Sequence, residues 1–315
     1  MRVRNLVFLM LAVTVLAVAT VWFRIGLATP EAKKLEVPGI GEFAFEQALY
    51  GQRDRELRNP IDLAVGSDGT VFVTDSDNHR IQVFDGQGEY VLHFGEQGQE
   101  EGKLNYPVGI ALDSKQNIYV VEVLNQRISV FDRTGKFLKV LTDKKSAVKA
   151  PTAIAIDPKD QIYVVDKSDS RIKKLSPDGD LLLSFGGLGG TDGFFQYPLG
   201  LTVNSKEEII VCDTGNSKIQ VFDKEGKFKY SFAGNLQAPS GVGVDQRDRM
   251  YVTDPLGSRI FIFSNLGEQQ AVIGEIGVTT DKLYFPEGVE IKQNRLYIAD
   301  KGNNRVVIYR ITEHQ

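Results

Sequence analysis

The sequence predicts an all-β fold, a six-bladed β-propeller of four-stranded antiparallel blades closed by an N-terminal strand that completes the last blade. Three observations carry this reading. Six times an acid ending a short apolar run is followed five positions later by a base: Asp75/Arg80, Glu122/Arg127, Asp166/Arg171, Asp213/Lys218, Asp254/Arg259 and Asp300/Arg305. A proline stands 15 residues before the acid in five copies (Pro60, Pro107, Pro151, Pro198, Pro239) and 14 before it in the sixth, at Pro286. The acids fall 47, 44, 47, 41 and 46 residues apart, a period that marks a radial repeat whose units bury their faces only against neighbours.

Within a unit the first strand follows the proline, as in "PVGIALD", and a short polar turn leads to the second. The second strands, "VFVTD", "IYVVE", "IYVVD", "IIVCD", "MYVTD" and "LYIAD", run almost without polar interruption. That is the pattern of a strand covered on both sides. Third strands such as "RIQVFD" follow, and a repeated glycine (Gly88, Gly135, Gly179, Gly226, Gly267) turns the chain into a fourth run such as "YVLHFG". Four such strands make a propeller blade. After Arg305–Tyr309 too little chain remains for a fourth strand, whereas "FAFEQALYG" at Phe43–Gly51 precedes the first unit. This segment is expected to complete blade six and remove an unpaired edge.

The repeat resembles the NHL family, whose name echoes Asn78-His79-Arg80; related forms are Asn125-Gln126-Arg127, Asn216-Ser217-Lys218 and Asn303-Asn304-Arg305. The resemblance covers residues 41–311 and implies the propeller fold, but propellers host unrelated activities.

Residues Leu6–Phe23 form an uncharged 18-residue run flanked by Arg2, Arg4 and Arg24, near the length needed to cross a bilayer. Residues 1–28 are therefore read as a transmembrane anchor, with a cleaved signal peptide as the alternative, 29–40 as a linker and 41–315 as the propeller. The expected placement is a single-pass membrane protein with its propeller outside the cytoplasm, or a secreted one if the leader is cleaved. The chain carries a formal charge of -4 and a single cysteine, Cys212. An acidic balance argues against nucleic acid as partner, and one cysteine builds neither a disulfide nor a zinc domain.

The acid/base pairs repeat in every unit and are read as structural, each exposed pair contributing about 0 to 1 kcal/mol. The loops from the fourth strand to the next proline vary, spanning 9, 12, 9, 12, 6 and 12 residues. Antiparallel order places them on one face, the expected functional surface. There the glycine-rich loop into blade four carries Leu188, Phe194 and Phe195, candidate anchors for a protein or peptide partner. The residues after the prolines, Ile61, Val108, Thr152, Leu199, Ser240 and Glu287, are expected to ring the mouth of the central channel, with Thr152, Ser240 and Glu287 as its polar candidates.

This ring does not supply converging metal ligands, which departs from propeller lyases and lactonases of similar architecture, and no catalytic constellation or cofactor signature is found. The expectation is a membrane-tethered, non-enzymatic binding, scaffolding or sensing module without a cofactor. The alternative is a propeller hydrolase or lyase with a metal-assisted site on the variable-loop face.

Overall fold

The computed structural model describes residues 34–52, 55–142 and 147–314. Six antiparallel blade sheets follow one another along the described chain, beside a two-stranded ribbon of Gly51–Gln52 and Arg55–Glu56, and each of the first five blades runs in sequence order from inner to outer strand. Blade one consists of Pro60–Val65, Val71–Asp75, Arg80–Phe84 and Tyr90–Phe94. The next four repeat the plan from Pro107, Pro151, Pro198 and Val242. Every residue of the second strands is buried from Val71–Asp75 through Met250–Asp254, and in the last blade only Arg295 is not. The core lies between blades. Phe72 and Ile81 of blade one, for example, pack with Ile110, Ile118 and Phe131 of blade two. Burying each such side chain is worth about 1.5–3 kcal/mol, and an apolar second strand is what lets both faces of a sheet be covered.

Blade six closes the ring as expected. Its own strands are Pro286–Lys292, Arg295–Asp300 and Arg305–Glu313, and Gly41–Leu49 pairs antiparallel with the last, from Gly41 opposite Glu313 to Leu49 opposite Val306. Phe43 is fully buried in the core of this blade. Lys34–Val37, within the stretch read as linker, adds a fifth strand outside it.

The repeated acids are buried, at most 1% exposed, which corrects the expectation of exposed pairs. Each accepts a hydrogen bond from the backbone N–H of the residue two before its own proline. The donors are Arg58 to Asp75, Asn105 to Glu122, Lys149 to Asp166, Gln196 to Asp213, Gln237 to Asp254 and Tyr284 to Asp300, at 2.7–3.0 Å. The motif asparagines Asn78, Asn125, Asn216 and Asn303 donate to the same carboxylates. The next residue adopts left-handed backbone in all six copies, with φ between 50° and 54° (His79, Gln126, Ser170, Ser217, Ser258, Asn304), which reverses the chain into the third strand.

The bases are less regular. Arg80, Arg127 and Arg305 pair with their acids at 2.6–2.7 Å. Lys218 instead pairs with Asp192 of the preceding loop, Asp166 takes Lys173, and Arg171 and Arg259 are exposed. Burial raises the Asp166 carboxyl, but Lys173 and the surrounding donors outweigh it and bring it down to about 2. Burial dominates at Asp213 and Asp300, whose carboxyls are pushed up.

The described residues give no support to the expected membrane-spanning helix. Among the described residues no helix is long and apolar enough to cross a membrane, and those present are three-residue 3-10 turns such as Ser76–Asn78. Residues 1–28, to which the anchor or signal peptide was assigned, lie outside the described residues.

Two outcomes follow from this architecture. Deleting residues 41–51 exposes the edge of Arg305–Glu313 and is expected to give aggregation or a large drop in melting temperature; a monomer that melts like the full chain would refute the closure. Asp254→Ala removes the acceptor of two part-buried amides, those of Gln237 and Ala238, and is expected to cost about 2 kcal/mol in denaturant unfolding. Arg259→Ala should change stability by less than about 0.5 kcal/mol.

Candidate functional site

All six residues that follow the prolines line one cavity of about 300 Å³ at the axis: Ile61, Val108, Thr152, Leu199, Ser240 and Glu287. The turns after the second strands add Val123, Lys167 and Lys301. The sequence reading of this ring thus points to one place. It missed the residue behind it, Asp62, which also lines the cavity.

Asp62 breaks the repeat. At the second position after the proline the other blades carry Gly109, Ala153, Gly200, Gly241 and Gly288. Small residues are required there because the inner strand of the next blade passes close by. A Cβ on Gly200 would fall 2.1 Å from the carbonyl oxygen of Ser240, and one on Gly241 2.3 Å from that of Glu287. Gly288, in turn, makes room for Asp62, since a Cβ there would stand 2.4 Å from Asp62 Oδ1. The signal for Asp62 was therefore a comparison of copies one position further along the strand.

Asp62 Oδ2 accepts from the Ile110 N–H of blade two at 3.1 Å, and Oδ1 from the Leu63 N–H at 2.9 Å. Asp62 is half-buried and lines the cavity. Burial pushes its carboxyl up to about 7, although the two amide hydrogen bonds pull it down; the charge of Glu287 adds to the rise. Glu287 is held differently. Its Oε2 accepts from Ser240 Oγ and its Oε1 from Lys301 Nζ at 3.0 Å. Lys167 forms no ion pair among the described residues, and the buried Thr152 Oγ1 has no hydrogen-bond partner. The mouth is therefore half apolar (Ile61, Val108, Val123, Leu199) and half polar. Lys167 and Lys301 line the same cavity as Asp62.

Of the loop residues, Phe195 is a core residue at 0% exposure, packed 5.4 Å from the ring of Phe222. This corrects its reading as a partner anchor. Leu188 and Phe194 are 74% and 46% exposed and do not line the cavity. The three 12-residue loops share one conformation, with parallel bridges Gln97 to Leu104, Leu188 to Phe195 and Ile276 to Leu283, and the second residue of each bridge is a buried plug. Much of their length is thus spent on structure. Lys144 and Lys145 of the loop into blade three lie outside the described residues. Cys212 is buried, which pushes its thiol up.

The axial donors do not fit a divalent ion. No group of three or more His, Cys, Asp or Glu side chains converges among the described residues. Both oxygens of Glu287 and of Asp62 already accept hydrogen bonds, and the Lys301 ammonium lies against Glu287.

The NHL repeat model matches residues 57–84, 104–131, 195–222 and 283–309, which are blades one, two, four and six. The chain is an NHL-repeat six-bladed propeller. No curated protein matches it. Similar solved structures include a gluconolactonase from Xanthomonas campestris, 16% identical, with TM-score 0.68, covering 90% of this chain and 99% of that one. A streptogramin B lyase is 16% identical, with TM-score 0.64, covering 84% and 98%. The PQQ-bound aldose sugar dehydrogenase of Streptomyces coelicolor is 14% identical, with TM-score 0.62, covering 88% and 100%. Identity at this level establishes the fold alone.

These findings overturn the expectation of a membrane-tethered, non-enzymatic module. Propellers that superpose on this NHL-repeat chain over most of their length include enzymes of several classes. Its axis carries an ionisable group that the repeat does not require, and no described helix supports membrane tethering or single-pass placement. The expected protein or peptide partner rested in part on Phe195 and loses that support.

The raised carboxyl also gives a stability test. A group whose folded pKa exceeds its ordinary value lends stability that is complete below that value, 3.8 here, and lost as pH rises through about 7. Melting temperature should therefore fall between about pH 4 and pH 7 more steeply in the native chain than in Asp62→Asn. Parallel curves would place the Asp62 titration elsewhere.

Proposed function

We propose that this propeller is an enzyme of the hydrolase or lyase type, acting on a small substrate at the channel mouth with Asp62 as the group that moves the proton. The observation that carries this reading is Asp62 itself, an acid lining the axial cavity where five sister blades carry Gly or Ala. A carboxyl held near 7 is matched to proton transfer at neutral pH, because it is present in both forms.

The other groups take roles from their positions. Lys301 and Lys167 face the charge that develops on a substrate carbonyl or leaving oxygen when Asp62 removes a proton from carbon or from water. Ile61, Val108 and Leu199 cover the apolar part of the substrate and displace water, which strengthens those electrostatic contacts. Ser240 and Lys301 hold Glu287 in place, so its charge biases Asp62 without competing for the substrate proton. A cavity of about 300 Å³ lies at the small end of ligand sites and suits a compact lactone, ester or β-substituted acid. The gluconolactonase and the streptogramin B lyase support this choice of reaction classes as precedents on the same fold.

Incubation with a panel of small lactones, esters and β-substituted carboxylates, read by mass spectrometry, is the direct test. Turnover is expected to rise with pH through about 7 and to fall by about 100-fold or more in Asp62→Asn. Turnover that is unchanged in the variant, or none across the panel, would overturn the proposal.

A further inference from the structure

Asp62 is not the only acid that breaks the rule of small residues on the inner strands. At the fourth position after the proline the blades carry Ala64, Ala111, Ala155, Thr202 and Gly243, and then, in blade six, Glu290. Glu290 reaches across to blade one, where its Oε2 accepts from the Val65 N–H at 2.8 Å. Asp62 lies on that same strand, Pro60–Val65, and itself reaches across to Ile110 of blade two. Two exceptional acids thus stand on adjoining inner strands at successive depths, each bound to the backbone of the next blade. Neither bond is needed to build a blade, since four of the six blades have neither acid.

Their access to solvent differs. Asp62 lines the upper cavity together with Glu287, Lys301 and Lys167, whereas Glu290 does not line it. At the depth of Glu290, Ala111, Ala155 and Thr202 are partly exposed without lining the cavity either. Their exposure lies outside that cavity, further along the inner strands, and Lys292 is the charged neighbour on the strand of Glu290. A substrate seated in the mouth covers Asp62 and leaves that exposure open.

From this placement we infer that Glu290 is the proton-relay partner of Asp62, exchanging with solvent outside the substrate cavity. When Asp62 has taken a proton from the substrate it returns to carboxylate by passing that proton, through water in the channel, to the Glu290 carboxylate, which releases it to solvent; the reverse order supplies a proton to a leaving group. Burial, the Asp62 charge and the limited relief from Lys292 and the Val65 amide leave Glu290 near 7, matched to its partner. Proton transfer between groups of like affinity is reversible in both directions. Glu290 touches no substrate in this scheme and acts only through Asp62.

The inference rests on Asp62 as the proton-moving group, but it is tested without turnover, so the two readings fail separately. In the full chain labelled with carboxyl-13C aspartate and glutamate, the Asp62 carbon is expected to titrate in two inflections, because it senses the charging of Glu290. In Glu290→Gln, which keeps an acceptor for Val65, one inflection should remain, moved down by about half a pH unit or more. An Asp62 curve unchanged by the substitution would overturn the relay. Should the variant not fold, the native chain still decides: mirrored inflections in the Asp62 and Glu290 curves support coupling, and two independent single-step curves exclude it.

Discussion

The hydrogen bond from the residue two before each proline to a carboxylate at the end of the second strand is the constraint on which the ring depends. A loop that crosses from the outer edge of one blade to the inner strand of the next must turn sharply before the proline, leaving its amides facing protein. A buried carboxylate answers them with charge-assisted bonds, roughly twice as strong as neutral ones. In blades three and five it holds two successive amides, those of Lys149 and Ala150 and of Gln237 and Ala238. In blades one, two, four and six the residue before the proline is left-handed instead (Asn59, Tyr106, Tyr197, Phe285), and these are the four blades that match the NHL model. The acid is common to both solutions.

This explains what was legible in the sequence and what was not. Period, strand order and closure could be read because they rest on spacings that backbone geometry enforces: acid to proline, base to glycine, and a missing outer strand. The partner of the acid could not. Spacing pointed to the base five residues on, yet the decisive donor is an amide, which every non-proline residue has and no sequence displays. The bases serve the loops as well. Arg127 donates to the carbonyls of Gln99, Glu100 and Lys103, and Arg305 to those of Thr279 and Lys282. Lys218 meets the same need by pairing with Asp192 of its loop. A long loop thus demands a base, and Arg171 and Arg259, beside shorter loops, are left in solvent.

The same logic separates Phe195 from Phe194. In a sequence they are two adjacent aromatic residues in a glycine-rich loop. In the fold the loop's bridge at Leu188 and Phe195 turns the second ring under Gly186, where a Cβ would lie 2.3 Å from it. Leu104 and Leu283 sit beneath Gly95 and Gly274 in the same way. Reading the three loops as copies of one another, and not as three variable insertions, would have identified the plug.

A repeat also defines where function is allowed to stand. Inner strands of adjacent blades approach so closely that glycine and alanine dominate the second and fourth positions after the proline, and any larger residue needs both space and a reason. Blade six gives up its side chain at Gly288 to make that space for Asp62, and then spends its own exception on Glu290. Glu290 belongs to blade six, which holds the closure and takes its outer strand from the other end of the chain, and Asp62 to blade one beside it. Each is raised by burial, and therefore weakens the fold when ionised. A cost of this kind, confined to two adjoining blades and absent from four otherwise equivalent ones, is not explained by stability and supports the proposed chemistry.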